Sequence, residues 1–199
     1  MKRILILLMI ALLMFSLLAG CNKDKQGEGS IGDVAGADNN DKEQQKESDT
    51  SENQDIQYID YVLYLKHDKL PYIFGERFEI ASNDSMLKDK SIEEIALERL
   101  ISYQQVESFI TPIPKDTKLL GVEKKDNKVY VDLSKEFADN MKKNEAETKI
   151  AIASIVNTLT FFPENEEVII TINGEAMKKL NGVEMDKGFK FSSEFIPDK

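Results

Sequence analysis

The sequence predicts an α+β fold, in which a mixed, mainly antiparallel sheet carries two principal helices packed on one face. Two kinds of segment support this prediction. Short runs rich in β-branched and aromatic residues alternate with two longer segments in which apolar residues recur at helical spacing. Gly, Pro and Asn residues mark turns between them. These elements fill residues 58–199, which we predict to be one domain.

The first half of this domain is predicted to contain two extended segments and a capped helix. Residues 58–66 are rich in aromatic and β-branched side chains, as is typical of a buried strand. Residues 70–81 are expected to form one or two short strands. Ser91 and Glu94 have the spacing of a capping box, so the first helix is expected to begin after Ser91.

The second half is predicted to contain a hairpin, a second long helix and a further strand. Residues 118–123 and 128–133 flank a turn sequence and are expected to pair as a β-hairpin. Ser134 is placed to cap a short helix after this hairpin. Apolar residues on more than one face of residues 145–161 indicate a helix buried on several sides. Residues 167–172 read as a buried strand.

The C-terminal residues are predicted to form turns and a short strand or tail on the core. Asn173 and Asn181 each precede a glycine, which is a strong turn signal. Four apolar residues are expected to pack the tail onto the core: Phe189, Phe191, Phe195 and Ile196.

The N-terminus predicts a bacterial lipoprotein. A basic start and an apolar stretch over residues 4–18 are typical of a secretory signal peptide, here residues 1–20. The apolar stretch is shorter than the roughly 20 residues that a membrane span requires. The run Leu-Ala-Gly-Cys that ends at Cys21 resembles the lipobox, in which the cysteine receives a diacylglyceryl group and becomes the mature N-terminus. We therefore expect anchoring at the outer face of the cytoplasmic membrane through Cys21.

Residues 21–57 are predicted to be the lipidated cysteine and a disordered acidic tether. They contain no aromatic residue and many charged and small polar ones, so they cannot bury enough apolar surface to fold. A flexible chain of this length has an end-to-end distance of about 30–40 Å. The tether is either a simple spacer or a linker whose length matters to function.

Charge and cysteine content exclude several function classes. The formal net charge of -10 argues against binding nucleic acid or anionic lipid headgroups through a basic surface. Cys21 is the only cysteine, so after lipidation no thiol is left for a disulfide, a metal site or catalysis.

Four segments carry a resemblance to a known family. They are TPIPKDTKLL (111–120), VYVDLSKEF (129–137), IVNTLTFFP (155–163) and VIITINGE (168–175). Their order and approximate spacing resemble those of the GerMN domain, and the resemblance covers about residues 61–193. It implies a sporulation or germination lipoprotein with a fold similar to ring-building domains of secretion and sporulation apparatus. It also implies a role in protein contacts, and it supplies no catalytic residues.

Residue types that could perform chemistry have simpler explanations in this sequence. The only histidine, His67, has no identifiable partners for a metal site or a general base. Two pairs of neighbouring carboxylates have such explanations. Glu93 and Glu94 are expected to complement a helix dipole. Glu166 and Glu167 are expected to be solvated. We therefore expect no enzyme, no cofactor and no metal.

Asn157, Thr158 and Thr160 are the unusual polar residues of the second long helix, which is otherwise apolar. A buried amide or hydroxyl costs free energy unless it is paired. These side chains therefore either bond to main-chain groups or face a cleft. We expect the structural role, and a ligand cleft lined by Asn157 is the alternative.

Three functions follow from these observations. The first is an interaction or assembly module of the cell envelope, which contacts other envelope proteins or its own copies and is linked to sporulation or germination. The alternative is a lipoprotein that binds cell-wall glycan, such as peptidoglycan, or a small ligand. The third, a wall hydrolase, has only the loose carboxylate pairs in its favour.

Overall fold

A hairpin of two long strands begins the fold of this chain, whose computed structural model describes residues 56–198. β1 (Tyr58–His67) pairs antiparallel with β2 (Ile73–Ala81). The register runs through Gly75 without a break, so one strand and not two occupies this segment. The short strand β3 (Phe109–Ile110) pairs antiparallel with the other edge of β1, which gives the strand order β2-β1-β3.

A second sheet is mixed. β4 (Leu119–Lys125) and β5 (Lys128–Leu133) form the predicted hairpin, and Asp126 in its turn has a φ of 55°. β6 (Glu167–Ile172) lies parallel to β5 on the other side, so the order is β4-β5-β6. The hairpin and the last long strand predicted from the sequence are confirmed.

A two-stranded ribbon makes the third sheet. β7 (Lys179–Leu180) and β8 (Val183–Glu184) pair antiparallel around Asn181 and Gly182, which have φ values of 48° and 101°. Positive φ at both central residues is the geometry that Asn-Gly favours in a tight hairpin. The turn is as predicted, whereas the two strands are too short to be recognised by alternation.

Both principal helices begin at a side-chain cap. α1 (Ile92–Ile101) follows Ser91, whose Oγ accepts a hydrogen bond from the Glu94 N–H at 3.1 Å, so its predicted start is confirmed. A four-residue helix, α2 (Glu136–Asp139), precedes the second principal helix, α3 (Glu145–Leu159). At α3, Asn144 Oδ1 accepts hydrogen bonds from the main-chain N–H groups of the first turn.

Ser134 does not cap α2, and this prediction was wrong. Lys135 holds the cap position without a side-chain hydrogen bond. Ser134 Oγ instead accepts a hydrogen bond from the Lys118 N–H at 2.9 Å, which ties the start of β4 to the end of β5. A partner 16 residues away outcompetes the local cap, and sequence spacing alone does not reveal such a partner.

One core joins the helices to the first two sheets. α1 and α3 contact β1 and one another, α1 also contacts β4, and α3 also contacts β6. The fully buried members include Leu65 of β1, Leu97 of α1, Leu133 of β5 and Ile155 of α3. The α+β class and the mainly antiparallel pairing are confirmed, and the strands divide among three sheets.

The C-terminal tail covers part of this core. Phe189 pairs with Val168 of β6 through two main-chain hydrogen bonds of 2.8 Å. Phe195 and Ile196 pack against a small cluster that contains Ile73. Phe191 is 51% exposed, and its ring meets that of Tyr64 edge to face with centroids 6.2 Å apart, so it packs on the surface of β1 and not inside the core.

The predicted signal peptide (1–20), Cys21 and the tether as far as residue 55 lie outside the described residues. Within residues 56–198, no helix has the length and apolar character needed to cross a membrane.

Candidate functional site

The helix α3 bonds to the main chain of β1 through two hydroxyl groups. The Tyr64 N–H donates a hydrogen bond to Thr158 Oγ1 at 3.0 Å. The Ser154 hydroxyl donates to the Tyr64 carbonyl oxygen. Thr158 and Ser154 are fully buried and lie one helical turn apart. Their hydroxyl groups can therefore bond to both the N–H and the C=O group of a single strand residue. Ser154 was not predicted from the sequence, although a serine four residues before Thr158 in an apolar helix is a visible signal.

Asn157 bonds the C-terminal tail with both ends of its amide group. Its Nδ2 donates to the Ser192 carbonyl oxygen at 2.8 Å, and its Oδ1 accepts from the Ser192 N–H at 3.0 Å. The side chain is fully buried. A cavity of about 200 Å³ is lined by Ser192 and Val156 but not by Asn157. The structure thus places Asn157 between α3 and the tail, which favours the structural role over the ligand cleft.

Thr160 has a local role at the end of α3. Its Oγ1 donates a hydrogen bond to the Val156 carbonyl oxygen at 2.7 Å, and its N–H bonds to the same oxygen at 2.8 Å. The side chain is half-buried. Thr160 therefore ends the helix and does not join the long-range contacts of its two neighbours.

A cavity of about 480 Å³ lies beside an ion pair between the buried Lys66 and the half-buried Glu147. Lys66 Nζ contacts both carboxylate oxygens of Glu147 at 2.7 Å, and the Lys66 side chain is only 11% exposed. The loop of residues 110–116, which contains part of the first GerMN-like segment, and Lys142 complete most of the wall. Burial raises the pKa of the Glu147 carboxyl, but the hydrogen bonds and charges of Lys66 and Lys142 together lower it more, so the pKa lies below its ordinary value.

The carboxylate pairs and His67 do not form a catalytic arrangement in the described residues. Glu93 lies in the first turn of α1, as expected, and is buried, where it accepts a hydrogen bond from Asn165 at 3.3 Å. Glu166 accepts from Asn127, and Glu167 pairs with Lys128 at 2.7 Å. His67 Nδ1 accepts a hydrogen bond from the Lys69 N–H at 3.1 Å. No group of three or more potential metal ligands occurs within residues 56–198.

The outer edge of β2 is open along its middle. Alternate residues of an edge strand direct both main-chain groups away from the sheet. In β2 these residues include Gly75, Arg77 and Glu79. Gly75 lies opposite Tyr64 of β1. Within residues 56–198, the main-chain groups of these three residues have no hydrogen-bond partner on that side. Near the start of the strand the edge is closed, because the Ile73 N–H donates to the Phe195 carbonyl oxygen at 2.8 Å.

The family model for Germane, described as sporulation and spore germination, matches residues 63–178, more than half of the chain. The chain belongs to the Germane family. The four segments that carried the resemblance all lie within the matched range, so the GerMN-domain assignment made from the sequence is confirmed.

Solved structures of GerMN domains have the same fold. The first GerMN domain of the sporulation protein GerM from Bacillus subtilis is 27% identical, with a TM-score of 0.51, over 67% of this chain and 97% of that one. The tandem GerMN domains of the same protein are 25% identical, with a TM-score of 0.53, over 67% of this chain and 46% of that one. A candidate lipoprotein from Clostridium perfringens is 27% identical, with a TM-score of 0.45, over 67% and 87% of the two chains. No curated protein matches this chain.

The first prediction concerns Asn157. We expect Asn157→Ala to lower the free energy of unfolding by about 2 kcal/mol, because two buried hydrogen bonds to Ser192 are lost. Amide exchange of the Ser192 N–H should accelerate more than that of the β5 core. Thr160→Ala, which removes only a local bond, is the matched control and should cost about 0.5 kcal/mol or less. Chemical denaturation and hydrogen exchange measure both effects. A stability loss below that of Thr160→Ala, together with loss of binding to a wall ligand, would support the cleft hypothesis.

The second prediction concerns the pH dependence of the Lys66–Glu147 pair. Folding lowers the pKa of Glu147, so its ionised carboxylate contributes to the free energy of unfolding. This contribution is complete at pH values above the ordinary pKa of 4.5, and it is lost as the pH falls through the pKa of the folded state. We expect Glu147→Gln to cost about 1.5–3 kcal/mol at pH 7. The difference from the parent chain should shrink below pH 4.5.

Glu123→Gln is the control for this prediction, since Glu123 makes an exposed pair with Lys125. Its cost should be at most about 0.5 kcal/mol. Urea unfolding between pH 7 and pH 3 measures the free energy of unfolding of the parent chain and of both variants. A cost for Glu147→Gln that does not change with pH would contradict the assignment of this contribution to the carboxylate charge.

Proposed function

We propose that this chain is a lipid-anchored, non-catalytic interaction module of the bacterial cell envelope that acts in sporulation or germination through the open edge of β2. Membership of the Germane family supports the biological setting. The observation that supports the molecular function is the row of main-chain groups at Gly75, Arg77 and Glu79 that have no partner within residues 56–198. A strand edge of this kind is a template for pairing with another chain.

The side chains on this edge favour a selective contact. Arg77 and Glu79 are exposed and of opposite sign, and Arg77 Nη1 pairs with Asp60 at 3.0 Å within the same sheet. Charged residues on an edge strand discourage unspecific pairing. A strand with complementary charges escapes this penalty, because opposite charges placed across two strands attract one another. The edge is therefore expected to pair preferentially with a strand that carries the complementary pattern of charges.

The N-terminal sequence supplies the anchor in this proposal. Lipidation at Cys21 attaches the chain to the outer face of the cytoplasmic membrane, and the acidic tether extends the domain away from the headgroups. Envelope proteins within reach of the tether are the partners. This anchoring rests on the lipobox-like sequence and the signal-peptide pattern.

A wall-binding lipoprotein is the second candidate function. The cavity of about 480 Å³ favours it, since its three lysines, Lys66, Lys115 and Lys142, outnumber its two acidic residues, Asp116 and Glu147. Carboxylates of cell-wall peptides are ligands of suitable charge. Retention of the chain on purified peptidoglycan, lost on Lys142→Glu but not on Glu79→Pro, would favour this candidate over edge pairing.

The third prediction tests the anchor. Cys21→Ser removes the sulfur that accepts the lipid, so we expect this variant to lack the lipid and to be lost from the membrane fraction. Ser16→Ala, an equally small change within the signal peptide, is the control and should have no effect. Mass spectrometry of the mature N-terminus and membrane fractionation measure the outcome. Equal membrane retention of Cys21→Ser and the parent chain would contradict lipid anchoring.

The fourth prediction tests the edge in cells. A photo-crosslinking amino acid at position 79, on the open edge of β2, should give a discrete adduct with an envelope protein or with a second copy. The same group at position 123, exposed on β4, is the matched control and should give less adduct. Mass spectrometry identifies the adducts. An identical yield or identical neighbours at both positions would count against a contact through β2.

A further inference from the structure

We propose that β2 pairs with β2 of a second copy of this chain, antiparallel and centred on Phe78. The proposal rests on the proposed function, since it names the partner that the open edge takes. The resulting dimer has two-fold symmetry, so each contact occurs twice.

The direction of the main-chain groups restricts how two such strands can meet. Odd-numbered residues of β2 direct their N–H and C=O groups outward, because Gly75 lies opposite Tyr64, whose own groups bond to α3. The outward N–H of Ile73, which bonds to Phe195, follows the same alternation. Outward residues must lie opposite outward residues in an antiparallel pair. The two-fold axis must therefore pass through a residue of β2, and not between two residues.

The occupied end of the edge removes some of these registers. A register centred on Arg77 places Ala81 of the second copy opposite Ile73, and one centred on Glu76 places Glu79 there. Both compete with the existing hydrogen bond between Ile73 and Phe195. A register centred on Phe78 places residue 83 of the second copy opposite Ile73. Residue 83 lies beyond the end of β2. This register leaves the bond to Phe195 intact.

Charge selects the same register. With Phe78 on the axis, Arg77 of each copy lies opposite Glu79 of the other, and both side chains are exposed. Registers centred on Glu76, Arg77 or Glu79 instead place like charges directly opposite one another. Opposite charges stabilise a cross-strand pair, and like charges destabilise it. Among these four registers, only the one centred on Phe78 has no like-charged pair on the axis.

An aromatic contact completes the interface. Residues on the axis form a pair without mutual main-chain hydrogen bonds, and such pairs bring side chains closest together. Phe78 is half-buried, and its ring stacks on Tyr61 with centroids 5.7 Å apart. Two Phe78 rings at the axis therefore extend an aromatic contact that already exists within each copy. Arg77 and Glu79 supply four main-chain hydrogen bonds around it.

Charge-reversal variants of the full chain, extracted in mild detergent, test the register. Native mass spectrometry measures the dimer fraction across a concentration series. Arg77→Glu and Glu79→Arg each create two like-charged pairs, so each should weaken the dimer by about tenfold or more. The double variant, Arg77→Glu with Glu79→Arg, should restore the dimer to within about threefold of the parent chain. An equimolar mixture of the two single variants should form the heterodimer.

Two controls separate pairing from folding. Lys187→Glu makes the same change in charge and also breaks an exposed ion pair, with Glu184, but it lies far from β2 in sequence and should leave the dimer unchanged. Glu79→Pro removes an outward N–H that no bond within residues 56–198 uses, so the chain should fold and remain monomeric. Circular dichroism melting verifies the fold of each variant.

The outcomes distinguish this inference from the proposed function. A monomeric parent chain, a dimer that ignores both single reversals, or a double variant that stays monomeric would overturn the self-pairing. If crosslinks from position 79 in cells then identify another envelope protein, the interaction function stands and only the choice of partner fails. If position 79 gives no specific adduct and the chain is monomeric, both fail.

Discussion

The hydrogen bonds from α3 to the main chain of Tyr64 determine how the rest of the domain is arranged. A buried strand residue must satisfy both its N–H and its C=O group. Thr158 and Ser154 satisfy them with hydroxyl groups, so at this point the helix occupies the position of a neighbouring strand. The helix also contacts α1 and, in the second sheet, β6, which explains why apolar residues cover several of its faces.

The same helix decides how much of β2 is left open. Asn157 holds the tail at Ser192, and three residues later the Phe195 carbonyl oxygen bonds to Ile73 at the start of β2. Among the described residues, the tail therefore closes one end of the edge and does not pair with the segment from Gly75 to Glu79. Loss of the Asn157 contact would release this closure as well as destabilise the core. The open segment is thus a consequence of packing around α3 and not a separate feature of the strand.

The sequence reveals those parts of the fold that depend on neighbouring residues. The strands β1, β5 and β6, both principal helices and the Asn-Gly turns follow from alternation, helical spacing, caps and turn chemistry. The environments of Ser134 and Glu93 could not be predicted, because their partners Lys118 and Asn165 lie 16 and 72 residues away. Asn157 was recognised as unusual, yet its partner lies 35 residues away, and no local pattern identifies it. The open edge likewise depends on which strand lies outermost, and this is a property of the complete sheet.

Membrane anchoring and edge pairing support one another physically. Pairing of one short strand per copy buries little surface, so such a contact is weak between freely diffusing molecules. In the proposed function, lipid anchors would confine all copies to one layer, and the tether expected from the sequence, with an end-to-end distance of about 30–40 Å, would keep the domains within reach of each other. Confinement raises the effective concentration and strengthens a weak contact without adding any interaction. In this proposal, the charged edge pairs more completely where anchored copies accumulate than in dilute solution, which is the behaviour that an assembly module at the membrane requires.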